Sequence, residues 1–455
     1  MAGMRAFFKE GIDQKYGPIF CFQHYLRSIQ VSILTFYRRN TILSTLEVPM
    51  LYKLEVENFF SIRDRQVLDL TIAPNVPDPD HRYATIFPGS PDRAPKVIAI
   101  YGANASGKSS VIRALEFIVT FVRDSATRPS GFPCERFNDE ASKSRPISLA
   151  IEFGGVMNWT PKVEEERQQG LKVDWGTYRY ELVIGVRDGA PFRVENETLR
   201  QRPLATGKWQ RVFERDSEGN LKDSRSFSLS GFQHLLNTLL PHVSVLASFA
   251  MFRHPTAQLF VDVANGLLFQ SAPHSNIVDQ GVVNYLVSQP DIVAELNREL
   301  SRIDVGVEQM HFVETPAGPQ PFFKHSGLEF EMPWGLESQG TRTFIKMFPA
   351  LSRILSTGSV VAIDELDSSI HPLVLPEILR WFYSTERNPH DAQLWFSCHA
   401  VSLMEELNKE EIVICEKDRI GRTSFFSLMD VKSQRRDNFY KKYLSGVYGG
   451  VPRIG

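Results

Sequence analysis

The sequence predicts an α/β protein: a parallel sheet flanked by helices, with an antiparallel β-rich and helical lobe inserted in its middle. Three observations carry that expectation. Val97-Ile98-Ala99-Ile100-Tyr101 and Val360-Val361-Ala362-Ile363 are unbroken apolar runs, as expected of strands buried on both faces. Segments of helical spacing accompany them, Ser110 to Arg123 after the first and Leu373 to Tyr383 after the second. Between these regions, from Ile147 to Leu229, short alternating runs broken by Gly, Asn and Asp read as hairpins.

Taken in order, Leu51 to Leu70 reads as two short strands around a turn, followed by a Pro-rich loop from Pro74 to Pro95. Phe232 to Ile303 has helical spacing, with runs at Ala257–Phe269 and Val282–Leu300. Further strands are expected at Gly306–Phe312 and Pro321–Met332, then a helix over Thr341–Leu355. The last third adds strands at Leu394–Ser397 and Ile412–Ile414 and a helix over Ser402–Asn408. This divides the chain into an extension (1–49), a first core segment (50–125), an inserted lobe (126–333) and a second core segment (334–455). The extension is aromatic-rich without the apolar core of a signal peptide. It reads either as an untranslated stretch upstream of Met50 or as a docking arm.

Composition narrows the functional classes. Hydrophobic residues at 42% and charged residues at 23% suit a folded globular chain. The net charge of -2 gives no bulk demand for nucleic acid or an anionic membrane. The four cysteines (Cys21, Cys134, Cys398, Cys415) form no CxxC pair, so reduced thiols in a cytoplasmic protein are expected. No apolar run is long enough to span a membrane.

Gly102-Ala103-Asn104-Ala105-Ser106-Gly107-Lys108-Ser109 matches G-x-x-x-x-G-K-[ST] at every fixed position, between a buried strand and a helix. The glycines let the backbone approach phosphates, and the loop amides point at the anion. Lys108 is expected on the β- and γ-phosphates of ATP, the Ser109 hydroxyl on Mg²⁺, and Ser110 at the start of the helix whose amino end favours the anion. The strand at 360–363 ends in Asp364-Glu365. Asp364 is the expected Mg²⁺ partner and Glu365 the general base for water. His399, just past the strand at 394–397, is placed to bond the γ-phosphate. Ser338-Gln339-Gly340-Thr341 opens a helix, with Ser338 as N-cap and Gly340 allowing close approach of an anion.

The order of these motifs resembles the ABC-type ATPase core of SMC, RecF and OLD proteins. Leu54-Glu55-Val56-Glu57-Asn58-Phe59-Phe60-Ser61-Ile62-Arg63 is similar to their opening strand. Asp364 to Pro372 and the tail Tyr443 to Pro452 resemble AAA-like ATPases of abortive-infection and phage-defence loci. The resemblance implies a P-loop NTPase fold, a nucleotide sandwich between two copies, and Ser338, Gly340 and Thr341 reaching the nucleotide of the other copy. It also implies a Q-loop glutamine between about 123 and 334, which the sequence does not place. A separate effector, a nuclease or toxin, is the implied partner. The alternative is a DNA-binding ATPase of RecF or SMC type, with Arg193–Arg202 and Lys432–Arg436 as its short basic stretches. A third reading is a module that holds ATP without turnover.

Overall fold

The computed structural model describes residues 50–127, 131–271, 280–303, 306–368, 370–432 and 437–451. The extension 1–49, with Cys21, lies outside the described residues, as do 433–436 of the second basic stretch, Ser369 and Pro452.

Two sheets organise the chain. A six-stranded sheet runs, edge to edge, Leu268–Ser271, Val360–Asp364, Gln393–Ser397, Val97–Tyr101, Ile412–Lys417 and Thr423–Ser427. Its first five strands are parallel and the last is antiparallel. A seven-stranded antiparallel sheet runs Leu221–Lys222, Gln210–Arg215, Ala190–Pro203, Trp175–Arg187, Ile147–Val156, Leu51–Glu57 and Gln66–Asp69.

Side-chain alternation explains why the parallel strands read as unbroken apolar runs. Ile98, Ile100, Ala362, Trp395 and Val413 point into a core shared with the helix Lys108–Asp124 and the inner face of the antiparallel sheet. Val97, Ala99, Val361, Ile363, Leu394, Phe396 and Ile412 point into a second core with the helices Gln339–Thr357 and Leu375–Tyr383. Both faces are dry, so the central positions of these strands are apolar. Each fully buried Leu or Ile side chain stabilises the fold by about 1.5–3 kcal/mol.

Within the 126–333 segment, only the strands Val307–Thr315, Gly318–His325 and Met332–Pro333 form a sheet of their own among the described residues, and it is antiparallel. Those at 147–156 and 175–215 extend the sheet begun by Leu51–Glu57, with Glu55 paired to Ala150. The helical reading of Ala257–Phe269 needs correction: the helix is Pro255–Gly266, and Leu268–Ser271 is a strand parallel to Val360–Asp364. A short apolar run after a glycine fits either element, and pairing with the buried strand decides it. Ser402–Asn408 is also corrected, since Val401–Glu406 forms 3₁₀ turns. A helix at Pro161–Gln168, capped by Thr160, interrupts the expected hairpins.

Candidate functional site

Parallel pairing puts the carboxyl ends of neighbouring strands at one edge of the six-stranded sheet. Ile100 pairs with Ser397, Ile363 with Phe396 and Ile414 with Tyr101. Open α/β sheets bind ligands at this edge. Here it gathers the loop 102–109, Asp364, Glu365, Ser397 and His399.

The loop is shaped by what surrounds it. Gly102 has φ 155, and a Cβ there would overlap the Cys415 carbonyl oxygen and Ser106 Oγ. Gly107 has φ 107, and its Cβ would overlap the Thr423 side chain. Thr423 Oγ1 donates to the Ser106 carbonyl (2.8 Å) and bonds the Ser61 hydroxyl (2.8 Å), and the Ser61 and Ser110 hydroxyls bond at 2.8 Å. Ser61 and Thr423 thus brace the loop from outside, a role the sequence did not reveal. Ala105 takes a left-handed φ of 60. The helix Lys108–Asp124 has no side-chain N-cap, because Gly107 occupies that position. Its first amides therefore lack the usual cap and suit an anion.

Lys108 is buried, and Nζ donates to the carbonyls of Gly102 (2.9 Å) and Ala103 (3.2 Å). Burial pushes its ammonium pKa down, while Cys415, Asp364, Glu365 and Asp367 nearby oppose that shift. The expected phosphate lysine and the acidic strand end therefore share one electrostatic site.

Ser397, missed in the sequence, joins the Asp364 carboxylate to the Glu365 backbone. Its hydroxyl donates to Asp364 Oδ1 (2.5 Å) and accepts the Glu365 N–H (2.7 Å), while its carbonyl accepts the Leu366 N–H (3.0 Å). Glu365 is held at φ 56, a left-handed backbone costing a non-glycine residue about 1–3 kcal/mol. The bonds to Ser397 hold that conformation in place. Asp367 Oδ2 accepts the N–H groups of His399 (2.9 Å) and Ala400 (2.8 Å), fixing the segment that carries the exposed His399. A serine or aspartate near a motif is too common for sequence alone to single out.

Gln270 is a further residue that sequence did not single out. It stands beside Ile363 in parallel register, and its buried Oε1 has no hydrogen-bond partner among the described residues. An orphaned buried acceptor calls for a water or ligand group.

Mg²⁺ fits this donor set. Among the described residues no group of three or more His, Cys, Asp or Glu could cage a metal. One hydroxyl (Ser109) and one hydrogen-bonded carboxylate (Asp364), beside a loop built for phosphates, are the sparse oxygen set that Mg²⁺ takes when phosphates and waters complete its shell.

The turn at 338–341 is built as expected but stands apart from these bonds. Ser338 caps the helix Gln339–Thr357: its Oγ accepts the Thr341 N–H (3.0 Å) and bonds Thr341 Oγ1 (2.7 Å). The preceding Glu337, buried, locks the turn. Its Oε1 accepts the Ser338 N–H (2.8 Å) and its Oε2 meets His325 Nε2 at 2.8 Å. Ser338 and Gln339 are exposed, and Leu336 beside them is 71% exposed.

Two stretches match family models. Residues 53–233 match one described as an AAA domain, and residues 258–405 match one described as AAA domain, putative AbiEii toxin, Type IV TA system. No curated protein matches. Among solved structures, the SMC head domain from Thermotoga maritima is 13% identical, with 83% of this chain and 98% of that one covered and a TM-score of 0.38. The Smc head domain of Pyrococcus furiosus, bound to the C-terminal domain of ScpA, is 13% identical over 88% and 100% of the chains, TM-score 0.37. That of Pyrococcus yayanosii, with a coiled coil and joint, is 12% identical over 88% and 100%, TM-score 0.42. The motif, its setting and the two family matches define the class: the chain carries P-loop ATPase domains of the AAA type. No helix among the described residues is long and apolar enough to cross a membrane.

Proposed function

We propose that the chain is an ATP-hydrolysing switch. Two copies close around nucleotide, and the closed or open state controls a separate effector, a nuclease or toxin, in cytoplasmic anti-phage defence. The observation that carries this reading is a divided site. Lys108, Asp364 and Glu365 converge at one sheet edge, while the pre-shaped turn at Ser338 presents itself to solvent. In this reading Lys108 and the loop amides of 102–110 hold the phosphates. Ser109 and Asp364 would hold Mg²⁺, which neutralises phosphate charge when bound. Glu365 takes a proton from the attacking water, His399 bonds the γ-phosphate, and Gln270 supplies the Q-loop contact. Ser338, Gly340 and Thr341 complete the site from the second copy. The description of the model matched by 258–405, which names a Type IV TA system, supports the toxin-system setting of the proposal.

Size measurement of Glu365→Gln tests it. With ATP and Mg²⁺ the variant is expected to run as a dimer, and without nucleotide as a monomer. A monomer under both conditions contradicts the sandwich.

A further inference from the structure

The outer face of the seven-stranded sheet carries a row of charges across six strands: Arg211, Arg200, Arg179, Glu152, Lys53 and Asp69 stand opposite one another in register. One end of that row is neutralised. Lys53 meets Asp69 (3.5 Å) and Glu152 (3.7 Å), and Arg179 meets Glu55 (2.7 Å), Glu152 (2.8 Å) and Glu181 (2.8 Å). The other end is not. Arg200 and Arg211 face each other across paired strands, both exposed, with no carboxylate in salt-bridge reach among the described residues. Like charges directly opposite in a sheet repel.

The backbone departs from regular pairing to make that pair. The register between 190–203 and 210–215 shifts between Leu199 and Arg200. The shift turns Arg211 outward beside Arg200 while Val212 stays buried. Bulges re-aim side chains in this way. Beside the pair, Arg202 lies over the Trp209 ring at 4.9 Å, Trp209 is 37% exposed, and Lys208 is exposed.

We infer that this corner binds the phosphate backbone of a single-stranded nucleic acid. Arg200 and Arg211 straddle a phosphate, whose charge relieves their repulsion and whose oxygens suit paired guanidinium donors. Trp209 offers its exposed ring to a base, which an acidic peptide would not use. The surface is separate from the nucleotide loop and does not depend on the switch reading.

The test is anisotropy of a short fluorescein-labelled single-stranded oligonucleotide with the full chain, from low to physiological salt. The wild type is expected to bind, with affinity falling as salt rises. Arg200→Ala/Arg211→Ala should bind about tenfold or more weakly, and its salt slope should drop by about 0.7, since the pair holds one phosphate and each single-strand phosphate contact contributes roughly 0.7. Trp209→Ala should weaken binding by about tenfold, and Arg200→Lys/Arg211→Lys should keep most of the affinity. Three results would overturn the inference: no binding by the wild type at the lowest salt, equal affinity of the double alanine variant, or displacement of the oligonucleotide by excess ATP. A labelled polyglutamate peptide bound in preference to the oligonucleotide would also overturn it.

Discussion

Glu365→Gln is expected to bind ATP as the wild type does and to turn it over at least about 100-fold more slowly, since a positioned general base contributes roughly 10²–10⁴-fold. The substitution keeps the backbone of the site and removes the carboxylate charge near Lys108. Glutamine keeps the side-chain length, and the bonds that hold position 365 run through its backbone N–H to Ser397 Oγ and from the Leu366 N–H to the Ser397 carbonyl. The left-handed backbone at 365 is therefore retained, and what is lost is the carboxylate, with its charge and its ability to take a proton. Steady-state turnover alongside equilibrium binding of a fluorescent ATP analogue checks the expectation. Turnover in the wild type with none in the variant separates a hydrolysing switch from a module that holds ATP passively. Equal turnover in both would remove Glu365 from the chemistry.

Arg215→Ala is expected to lower stability by about 3–5 kcal/mol, the usual result of removing one partner from a buried charge pair. Glu197 and Arg215 are both buried, 3.8 Å apart. Burial pushes the Glu197 carboxyl pKa up and the Arg215 guanidinium pKa down, with each partner opposing the other's shift. Glu197 also accepts the hydroxyls of Ser244 (2.7 Å) and Tyr180 (2.9 Å) and the Val245 N–H, so it anchors the amino end of the helix Val245–Met251. Arg215 donates to the carbonyls of Val243 (2.7 Å) and Leu240 (2.8 Å) just before that helix. The helix shares its core with Lys108–Asp124, so the loss reaches the phosphate-loop support. Urea unfolding of Arg215→Ala and of Glu197→Gln/Arg215→Met checks this. The double variant should recover much of the loss, because no charge is left unpaired. A single variant as stable as the wild type would show the pair to be dispensable.

Local chemistry explains which parts of this fold can be read from the chain. The strands at 97–101 and 360–364 and the loop between Gly102 and Ser109 are legible because double burial, glycine geometry and phosphate binding each restrict residue type at short range. The strand Leu268–Ser271 is not, because four apolar-to-polar residues after a helix carry no period of their own; pairing with a strand some ninety positions away makes them β. Gln270 was hidden with it. Ser397, Asp367 and Thr423 are ordinary polar residues whose meaning comes from what the fold sets against them: the Asp364 carboxylate and Glu365 backbone, the His399 segment and Gly107. The hydrophobic pattern also concealed that strands from both sides of position 125 share one sheet, since register between distant segments leaves no local trace.

The central claim is that each nucleotide site is shared between two copies, and mixing two inactive variants tests it most directly. Lys108→Ala removes the phosphate lysine, and Ser338→Arg blocks the turn offered to the other copy. Each alone should lack ATPase activity. Mixed together, they form pairs in which one site takes Lys108 from one chain and Ser338 from the other, and activity should reappear. If the mixture stays as inactive as its components, or if Ser338→Arg alone keeps wild-type turnover, the shared site is contradicted.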